Sequence, residues 1–152
     1  MVFILIVLAV LALNFIAGNH VKTTLDEGES RQAWGGRLIL RREENAGAAF
    51  GECADNPSGV KKLSGILLLI VGIKFIAALF KKGEGVRKFG YALLFGGALS
   101  NFIERMRKGS VTDYVSLNVN IKRIRRIVFN VADVCIALGL IILIVRKLFK
   151  NR

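Results

Sequence analysis

The final apolar run of the chain begins with "VFNVADVCIALGLIILIV", residues 128–145. Most of this run is hydrocarbon, yet Asn130 and Asp133 stand three residues apart near its start. Three residues are nearly one helical turn, so both polar side chains leave the helix on the same face. An ionised carboxylate at membrane depth costs several kcal/mol unless it is paired or hydrated. Asp133 is therefore a candidate functional residue, and the competing interpretation is an aspartate at the membrane interface, where it costs little.

The composition predicts a membrane protein with one domain, residues 1–152. The chain has 152 residues, 53% of them apolar, and a mean hydropathy of +0.51, which is too apolar for a soluble domain of this size. Its four apolar runs lie at 2–18, 63–80, 89–105 and 127–146. A membrane-spanning helix needs about 20 residues, so the shorter runs must extend into their flanks. The first run lacks a basic n-region and a convincing cleavage site, so we expect a retained anchor.

The positions of the charged, histidine and cysteine residues argue against a nucleic-acid site and against a metal site. The formal net charge is +12, but the basic residues lie in the loops and form no soluble basic domain. Anionic lipid headgroups are therefore the expected partner, and nucleic acid is not. Charge alone leaves the membrane orientation undecided. His20, Cys53 and Cys135 form neither a metal-ligand spacing nor a disulfide framework, so we expect no metal and no cofactor.

The polar segment between the first two runs is about 45 residues long, so we expect it to have structure of its own. Within it, "VKTTL" (21–25) and "GRLILRR" (36–42) are β-branched or aliphatic stretches that predict small strands at the membrane surface. Pro57 in "DNPSG" predicts a turn just before the second run.

The third run, "FGYALLFGGALSNFIER", is rich in glycine, which indicates close packing against another helix. Packing does not explain Asn101 and Arg105, which lie four residues apart and so share one face at the end of the helix.

Four polar clusters now need one explanation: "NAGAAF" (45–50), "GGALSNFIER" (96–105), "VTDY" (111–114) and "FNVAD" (129–133). In this order and spacing they resemble the motifs of the lipoprotein signal peptidases, the signal peptidase II family. That family's pattern is N-x-G-A-A-[FW], G-G-A-L-G-N-x-x-D-R, V-V-D-F and F-N-x-A-D. Each block alone is a weak signal, but four in order, across nearly the whole chain, are specific.

The resemblance implies a fold, an activity and a location. The fold is an all-α membrane protein with four transmembrane helices and a small extracytoplasmic β-cradle between helices 1 and 2. The activity is that of an aspartic endopeptidase, which removes signal peptides from diacylglyceryl-modified prolipoproteins by cutting before the lipidated cysteine. The location is the bacterial cytoplasmic (inner) membrane, with several spans, both termini cytoplasmic and the active site near the extracytoplasmic face. Expected partners are prolipoproteins and membrane lipids, and a monomer is the default oligomeric state.

Carried over motif by motif, the resemblance places the catalytic pair on Asp113 and Asp133. The supporting and substrate-binding residues that it implies are Asn45, Gly47, Asn101, Arg105 and Asn130. Two carboxylates close together cannot both ionise cheaply, so such a pair shares one proton. The ionised member can then activate a water while the protonated member polarises the scissile carbonyl, without a metal.

The chain departs from the family at several positions. The first helix of the family carries an aspartate and, four residues later, a lysine, whereas this chain has Asn14 and Gly18. Milder departures stand within or beside the motifs, at Glu44, Ser100, Glu104 and Tyr114. Losing the charged pair predicts altered packing of the first helix and a divergent paralogue with different substrates.

Two alternative functions remain at this point. One is a non-catalytic paralogue of the same fold that binds lipidated peptides, and an assay of prolipoprotein cleavage distinguishes it from a peptidase. The other is an ion or proton pathway that uses Asp133 and Lys74, which proton flux in liposomes would test. The second alternative leaves "NAGAAF" and "GGALSN" unexplained.

Overall fold

The structure, a computed structural model, describes residues 1–47 and 55–150. The helices of this part are α1 Val2–Thr24, α2 Pro57–Leu79, α3 Gly85–Lys108, the short α4 Lys122–Arg125, and α5 Val131–Lys150. The strands are β1 Ser30–Ala33, β2 Leu38–Asn45, β3 Val111–Leu117 and β4 Val128–Phe129. The prediction of a mainly helical protein with a small β-sheet is therefore confirmed.

The sheet is built from two distant parts of the chain. Its strand order is β1-β2-β3-β4, and all three pairings are antiparallel. Of the strands in the described residues, β1 and β2 lie between α1 and α2, whereas β3 and β4 lie between α3 and α5. The predicted position of the β-cradle, between helices 1 and 2, is thus correct for half of the sheet and wrong for the other half.

The prediction for "VKTTL" is wrong, because Val21–Thr24 continue α1. The Leu25 amide still donates to the Val21 carbonyl at 2.9 Å, which closes the last turn. The hydroxyl of Thr24 bonds back to the His20 carbonyl at 2.8 Å, so the β-branched residue is compatible with the helix. In contrast, "GRLILRR" does contain the start of β2.

The ends of two helices direct the chain toward the sheet. Pro57, predicted in a turn, is instead the first residue of α2, with Asn56 as its N-cap. At the other end of the molecule, α3 stops at Gly109, whose φ of +84° is the left-handed conformation that glycine adopts without strain. Two residues later the chain enters β3, so this stop sets the position of Asp113.

Helix α3 lies at the centre of the bundle, where it contacts α1, α2 and α5. Glycines let α5 approach it closely. A Cβ at Gly97 would collide with the carbonyl oxygen of Ala132, and a Cβ at Gly139 would lie 2.7 Å from the carbonyl oxygen of Gly90. The first turn of α5 therefore packs directly against α3, one turn before Asn101.

Within residues 1–47 and 55–150, the two helices α1 and α2 are long and apolar enough to cross a membrane. The buried residues of α1 form one stripe at helical spacing, namely Val7, Val10, Asn14, Gly18 and Val21. The rest of its surface exposes large side chains such as Leu8 and Phe15, which are 54% and 64% exposed. Such a surface suits lipid rather than water.

Candidate active site

Asn130 and Asp133, the polar pair of the last apolar run, start α5 instead of interrupting it. The Asp133 amide donates to Asn130 Oδ1 at 2.9 Å, and the Asn130 amide donates to Asp133 Oδ2 at 3.1 Å. This reciprocal pair is a capping box, with aspartate in the place that glutamate usually takes. The capping box fixes the direction of the Asp133 carboxylate.

The register between β3 and β4 brings Asn130 to Asp113. Val115 pairs with Phe129 in the sheet, and Asn130 is the next residue along the chain. From there Asn130 Nδ2 donates to Asp113 Oδ1 at 2.8 Å. Asn130 is fully buried, and it bonds to both aspartates. The two aspartates, predicted from separate motifs, are thus held on either side of one asparagine.

Two further asparagines complete the surroundings of the carboxylates. Asn45 Nδ2 donates to Asp113 Oδ2 at 2.9 Å, and Asn101 Nδ2 donates to Asp133 Oδ1 at 2.8 Å. Each of the four carboxylate oxygens therefore accepts a hydrogen bond from a neutral amide. We call this series the amide–carboxylate chain; its members in order are Asn45, Asp113, Asn130, Asp133 and Asn101.

Arg105 and Gly47 support the first member of this chain. Arg105 Nη2 donates to the Gly47 carbonyl at 2.9 Å, and the Gly47 amide donates to Asn45 Oδ1 at 2.9 Å. The buried guanidinium thus braces the strand end that carries Asn45. All seven residues predicted for the site lie together. The rest of "NAGAAF", residues 48–50, and Cys53 lie outside the described residues.

Burial is the main influence on the protonation of Asp113. The side chain is 6% exposed, and this burial raises the pKa of Asp113 to about 6. Hydrogen bonds from Asn45 and Asn130 and the charge of Arg105 oppose the increase, whereas the charge of Asp133 adds to it. Asp113 therefore retains a proton at a pH where an ordinary aspartate is ionised.

Asp113 also borders an open space that could admit a substrate. A cavity of about 690 Å³ has Asn45 and Asp113 among its lining residues. Lys122, Arg123 and Arg126, from α4 and the residue after it, line the same cavity. The carboxylate thus meets a space bounded partly by cationic side chains.

On the other side of β3 lies a neutral network that the sequence did not predict as part of the site. Asn14 Nδ2 donates to Ser100 Oγ at 3.0 Å, and the Tyr114 hydroxyl donates to Asn14 Oδ1 at 3.0 Å. These three residues are among the departures from the family pattern. Their simultaneous change from charged or apolar types to neutral polar ones is the signal that could have indicated contact.

A second group, which we call the charged cluster, joins α1, α3 and β2; it consists of Lys22, Glu44, Glu104 and Lys108. Glu104 Oε1 lies 2.9 Å from Lys22 Nζ and 3.0 Å from Lys108 Nζ. Lys108 also pairs with Glu44. Burial alone would raise the pKa of Glu44, but the bonds and charge of Lys108 and the hydroxyls of Ser110 and Thr112 hold it below its usual value.

Several known proteins are similar to this chain in sequence and in fold. The profile of the family described as Signal peptidase (SPase) II matches residues 2–149. The lipoprotein signal peptidase of Moorella thermoacetica is 33% identical over 144 residues, which cover 94% of this chain and 90% of that protein. The lipoprotein signal peptidase of Gloeobacter violaceus is 34% identical, over 91% of this chain and 76% of that protein.

A solved structure gives the same result. It is described as a bacterial membrane enzyme determined by the in meso method at 2.3 Å resolution, and it is 27% identical to this chain. The match covers 99% of this chain and 89% of that structure, with a TM-score of 0.84. With its sequence matched over residues 2–149 and its fold matched over nearly its whole length, the chain belongs to the signal peptidase II family.

Proposed function

We propose that this protein is a membrane aspartic endopeptidase that removes signal peptides from diacylglyceryl-modified prolipoproteins, cutting before the lipidated cysteine. The observation that carries the proposal is the arrangement of Asp113 and Asp133, both hydrogen-bonded to the buried Asn130. Family membership supports the class of substrate. The non-catalytic alternative would not require two carboxylates, one buried and one half-buried, at one asparagine.

In the proposed reaction, the two aspartates share one proton. The ionised carboxylate takes a proton from a water, whose oxygen attacks the scissile carbonyl carbon, while the protonated carboxyl gives its proton to the carbonyl oxygen. When the tetrahedral intermediate collapses, one of its two hydroxyl groups returns a proton to the ionised carboxylate, the C–N bond breaks, and the leaving nitrogen receives the proton taken from water. The free amine and the new carboxyl group are released, and the pair again holds one proton.

The amide–carboxylate chain suits this chemistry because it adds hydrogen bonds without adding positive charge. A lysine or arginine bonded directly to the pair would favour two ionised carboxylates and remove the proton that polarises the carbonyl. Arg105 instead donates to the Gly47 carbonyl. We therefore assign Arg105, Gly47 and the three asparagines to the support of the pair.

The proposal includes a topology in which one domain, residues 1–152, crosses the bacterial inner membrane four times, through α1, α2, α3 and α5. Exposed apolar side chains on α5, such as Leu138, Ile141 and Ile144, support its contact with lipid. The lower apolarity of α3 is consistent with its position among three other helices. Four spans put both termini on the same side of the membrane. Family membership supports assigning that side to the cytoplasm and the aspartate pair to the outer face, and labelling of single cysteines from each side tests this arrangement.

One chain supplies both aspartates and the three asparagines, so a monomer can carry out the reaction. The test is cleavage of a diacylglyceryl-modified prolipoprotein by purified protein in liposomes, with the unmodified precursor as the control substrate. We expect the wild type to release a product that begins with the lipidated cysteine. Asp113→Asn and Asp133→Asn should each abolish release, and the double variant should be no worse than either.

A wild type that binds the lipidated precursor without cleaving it would support the non-catalytic alternative. Retention of more than about a tenth of the activity by either single variant, a barrier change below about 1.4 kcal/mol, would show that the pair is assigned incorrectly.

A further inference from the structure

The first turn of α5 is held by three acceptors from three different elements. The first amides of a helix have no partner within it and need acceptors from elsewhere. The Val131 amide donates to the Tyr114 hydroxyl oxygen at 3.2 Å, and the Ala132 amide donates to Asn14 Oδ1 at 3.2 Å. The third amide, that of Asp133, uses Asn130 Oδ1. Helix α1, strand β3 and the N-cap therefore together fix where α5 begins.

This arrangement joins the immediate neighbours of the two aspartates. Tyr114 follows Asp113 in β3, and side chains of successive strand residues point to opposite faces. Asp113 accordingly bonds to Asn45 and Asn130, whereas Tyr114 bonds to Asn14 on α1. On the other side of the pair, Ala132 directly precedes Asp133. Any movement of α1 relative to α5 would thus be transmitted to the backbone of both aspartates.

The orientation of the Asn14 amide is fixed by its partners. Its oxygen accepts from Tyr114 and from the Ala132 amide, and its nitrogen donates to Ser100 Oγ. A flipped amide would direct its nitrogen at the Ala132 N–H, a donor against a donor. Asn14 is 5% exposed, so water cannot easily replace these bonds. The Ala132 N–H therefore selects the orientation in which the Asn14 oxygen accepts from α5, and the Asn14 nitrogen then donates to Ser100 on α3.

We propose that Asn14 and Tyr114 are positioning residues, which hold the first turn of α5 so that Asp133 keeps its place relative to Asp113. Ser100 supports Asn14 by accepting a hydrogen bond from its amide nitrogen. This inference rests on the proposed function, because it concerns the geometry of the proposed catalytic pair. It also gives a physical meaning to three departures from the family pattern, since each of the three residues supplies one neutral polar group to the same network.

The decisive variant is Tyr114→Phe, which removes one oxygen and keeps the ring that packs against Val21 and Leu25. The matched control is Tyr91→Phe, the other tyrosine of the chain, which lies on α3 beside Arg87. We expect Tyr114→Phe to lower kcat about tenfold or more, with KM within about twofold. The alkaline limb of its kcat profile should move to lower pH, because the charge of Asp133, once displaced, raises the pKa of Asp113 less.

Variants at Asn14 add a test by rescue. Asn14→Ala should lower kcat as Tyr114→Phe does, and the two changes together should cost less than the product of the separate effects, because they remove one shared unit. Asn14→Asp should recover most of the activity, since its carboxylate can accept from both the Tyr114 hydroxyl and the Ala132 amide.

Three results separate the possibilities. If Tyr114→Phe keeps the kcat and pH profile of Tyr91→Phe, the positioning proposal is overturned. It is also overturned if the loss of activity matches the loss of folded, inserted protein, so that each folded molecule is as active as the wild type. If the wild type does not cleave, or if Asp113→Asn does, the proposed function itself fails, whatever Tyr114→Phe shows.

Discussion

Two groups of carboxylates flank β3, and their surroundings differ in charge. In the amide–carboxylate chain, Asp113 accepts hydrogen bonds from the neutral amides of Asn45 and Asn130. In the charged cluster, Glu44 is bonded to the ammonium of Lys108. Burial raises the pKa of Asp113 to about 6, whereas the pKa of Glu44 is lowered. Asp113, with its neutral hydrogen-bond partners, can thus hold a proton for catalysis, whereas the Lys108 ammonium favours the ionised form of Glu44 in a structural ion pair.

The charged cluster includes one residue of the first helix, Lys22. Gly18 stands where the family has a lysine, but Lys22 lies one turn farther along α1 and pairs with Glu104 at 2.9 Å. A Cβ at Gly18 would lie 3.7 Å from the ring of Tyr114, an ordinary contact. In this chain, α1 is held by the Lys22–Glu104 ion pair and by a neutral network at Asn14; the altered packing relative to the family stays a prediction.

The largest effect in this comparison is expected from Asn130→Ala, which removes the side chain shared by both aspartates. We expect kcat to fall about 100-fold, because the pair loses its common anchor. The free energy of unfolding should fall by about 1 kcal/mol or more through loss of the helix N-cap. Kinetics and thermal unfolding in detergent measure the two effects.

The matched control is Asn56→Ala, which removes the N-cap of α2, where Asn56 Oδ1 accepts from the Gly59 amide at 2.9 Å. It should lower stability similarly but leave the activity of each folded molecule unchanged. Equal loss of kcat in both variants would mean that Asn130 is only a cap.

A second effect concerns pH. If the protonated form of Asp113 is needed, activity should fall as the pH rises through its pKa of about 6. The bond from Asn45 stabilises the ionised carboxylate and so lowers this pKa. Asn45→Ala should therefore move the alkaline limb of the pH–rate profile to higher pH. A limb that stays in place or moves to lower pH would contradict the role given to Asn45.

A smaller effect is expected when the charged pair of the family is restored. Asn14→Asp with Gly18→Lys should leave the fold intact and change kcat by less than tenfold, a barrier change below about 1.4 kcal/mol. The reason is that aspartate can replace the acceptor atom of Asn14, while a Cβ at position 18 would lie at an ordinary contact distance, 3.7 Å, from the Tyr114 ring. Complete loss of cleavage would show that the site has become dependent on a neutral residue at position 14.

The smallest effect belongs to the charged cluster. Lys22→Met removes the partly exposed ion pair with Glu104, so the free energy of unfolding should fall by about 1 kcal/mol or less. The difference from the wild type should shrink in high salt. Thermal unfolding at two salt concentrations measures it, and cleavage should change by less than about twofold. A tenfold loss of kcat would place the charged cluster within the catalytic site.

Local patterns in the sequence predicted the parts of the site that depend on one element. Asn130 and Asp133 share a face because they are three residues apart, and Asn101 and Arg105 do so because they are four apart. The hydrogen bond between Asn45 and Asp113 could not be predicted from local spacing. It depends on the register of β2 and β3, which is shifted between Leu40 and Glu43. Only the family resemblance brought those two residues into one site.

The network at Asn14 could not be predicted from local patterns at all. Its bonds join residues that are 86 to 118 positions apart in the chain. The error at "VKTTL" has a different origin, since β-branched residues favour strands but were overridden by continuation of α1. Strand β3 carries the "VTDY" motif but was not predicted as a strand.

The central claim is that a buried aspartate among neutral amides keeps its proton where an ordinary aspartate has lost it. The most direct measurement is infrared difference spectroscopy of the protein in lipid, following the protonated carboxyl band between pH 4 and pH 8. We predict a carboxyl group that titrates near pH 6, is absent in Asp113→Asn and persists in Glu44→Gln. If every carboxyl group is ionised by about pH 5, or if the band survives in Asp113→Asn, the claim is contradicted.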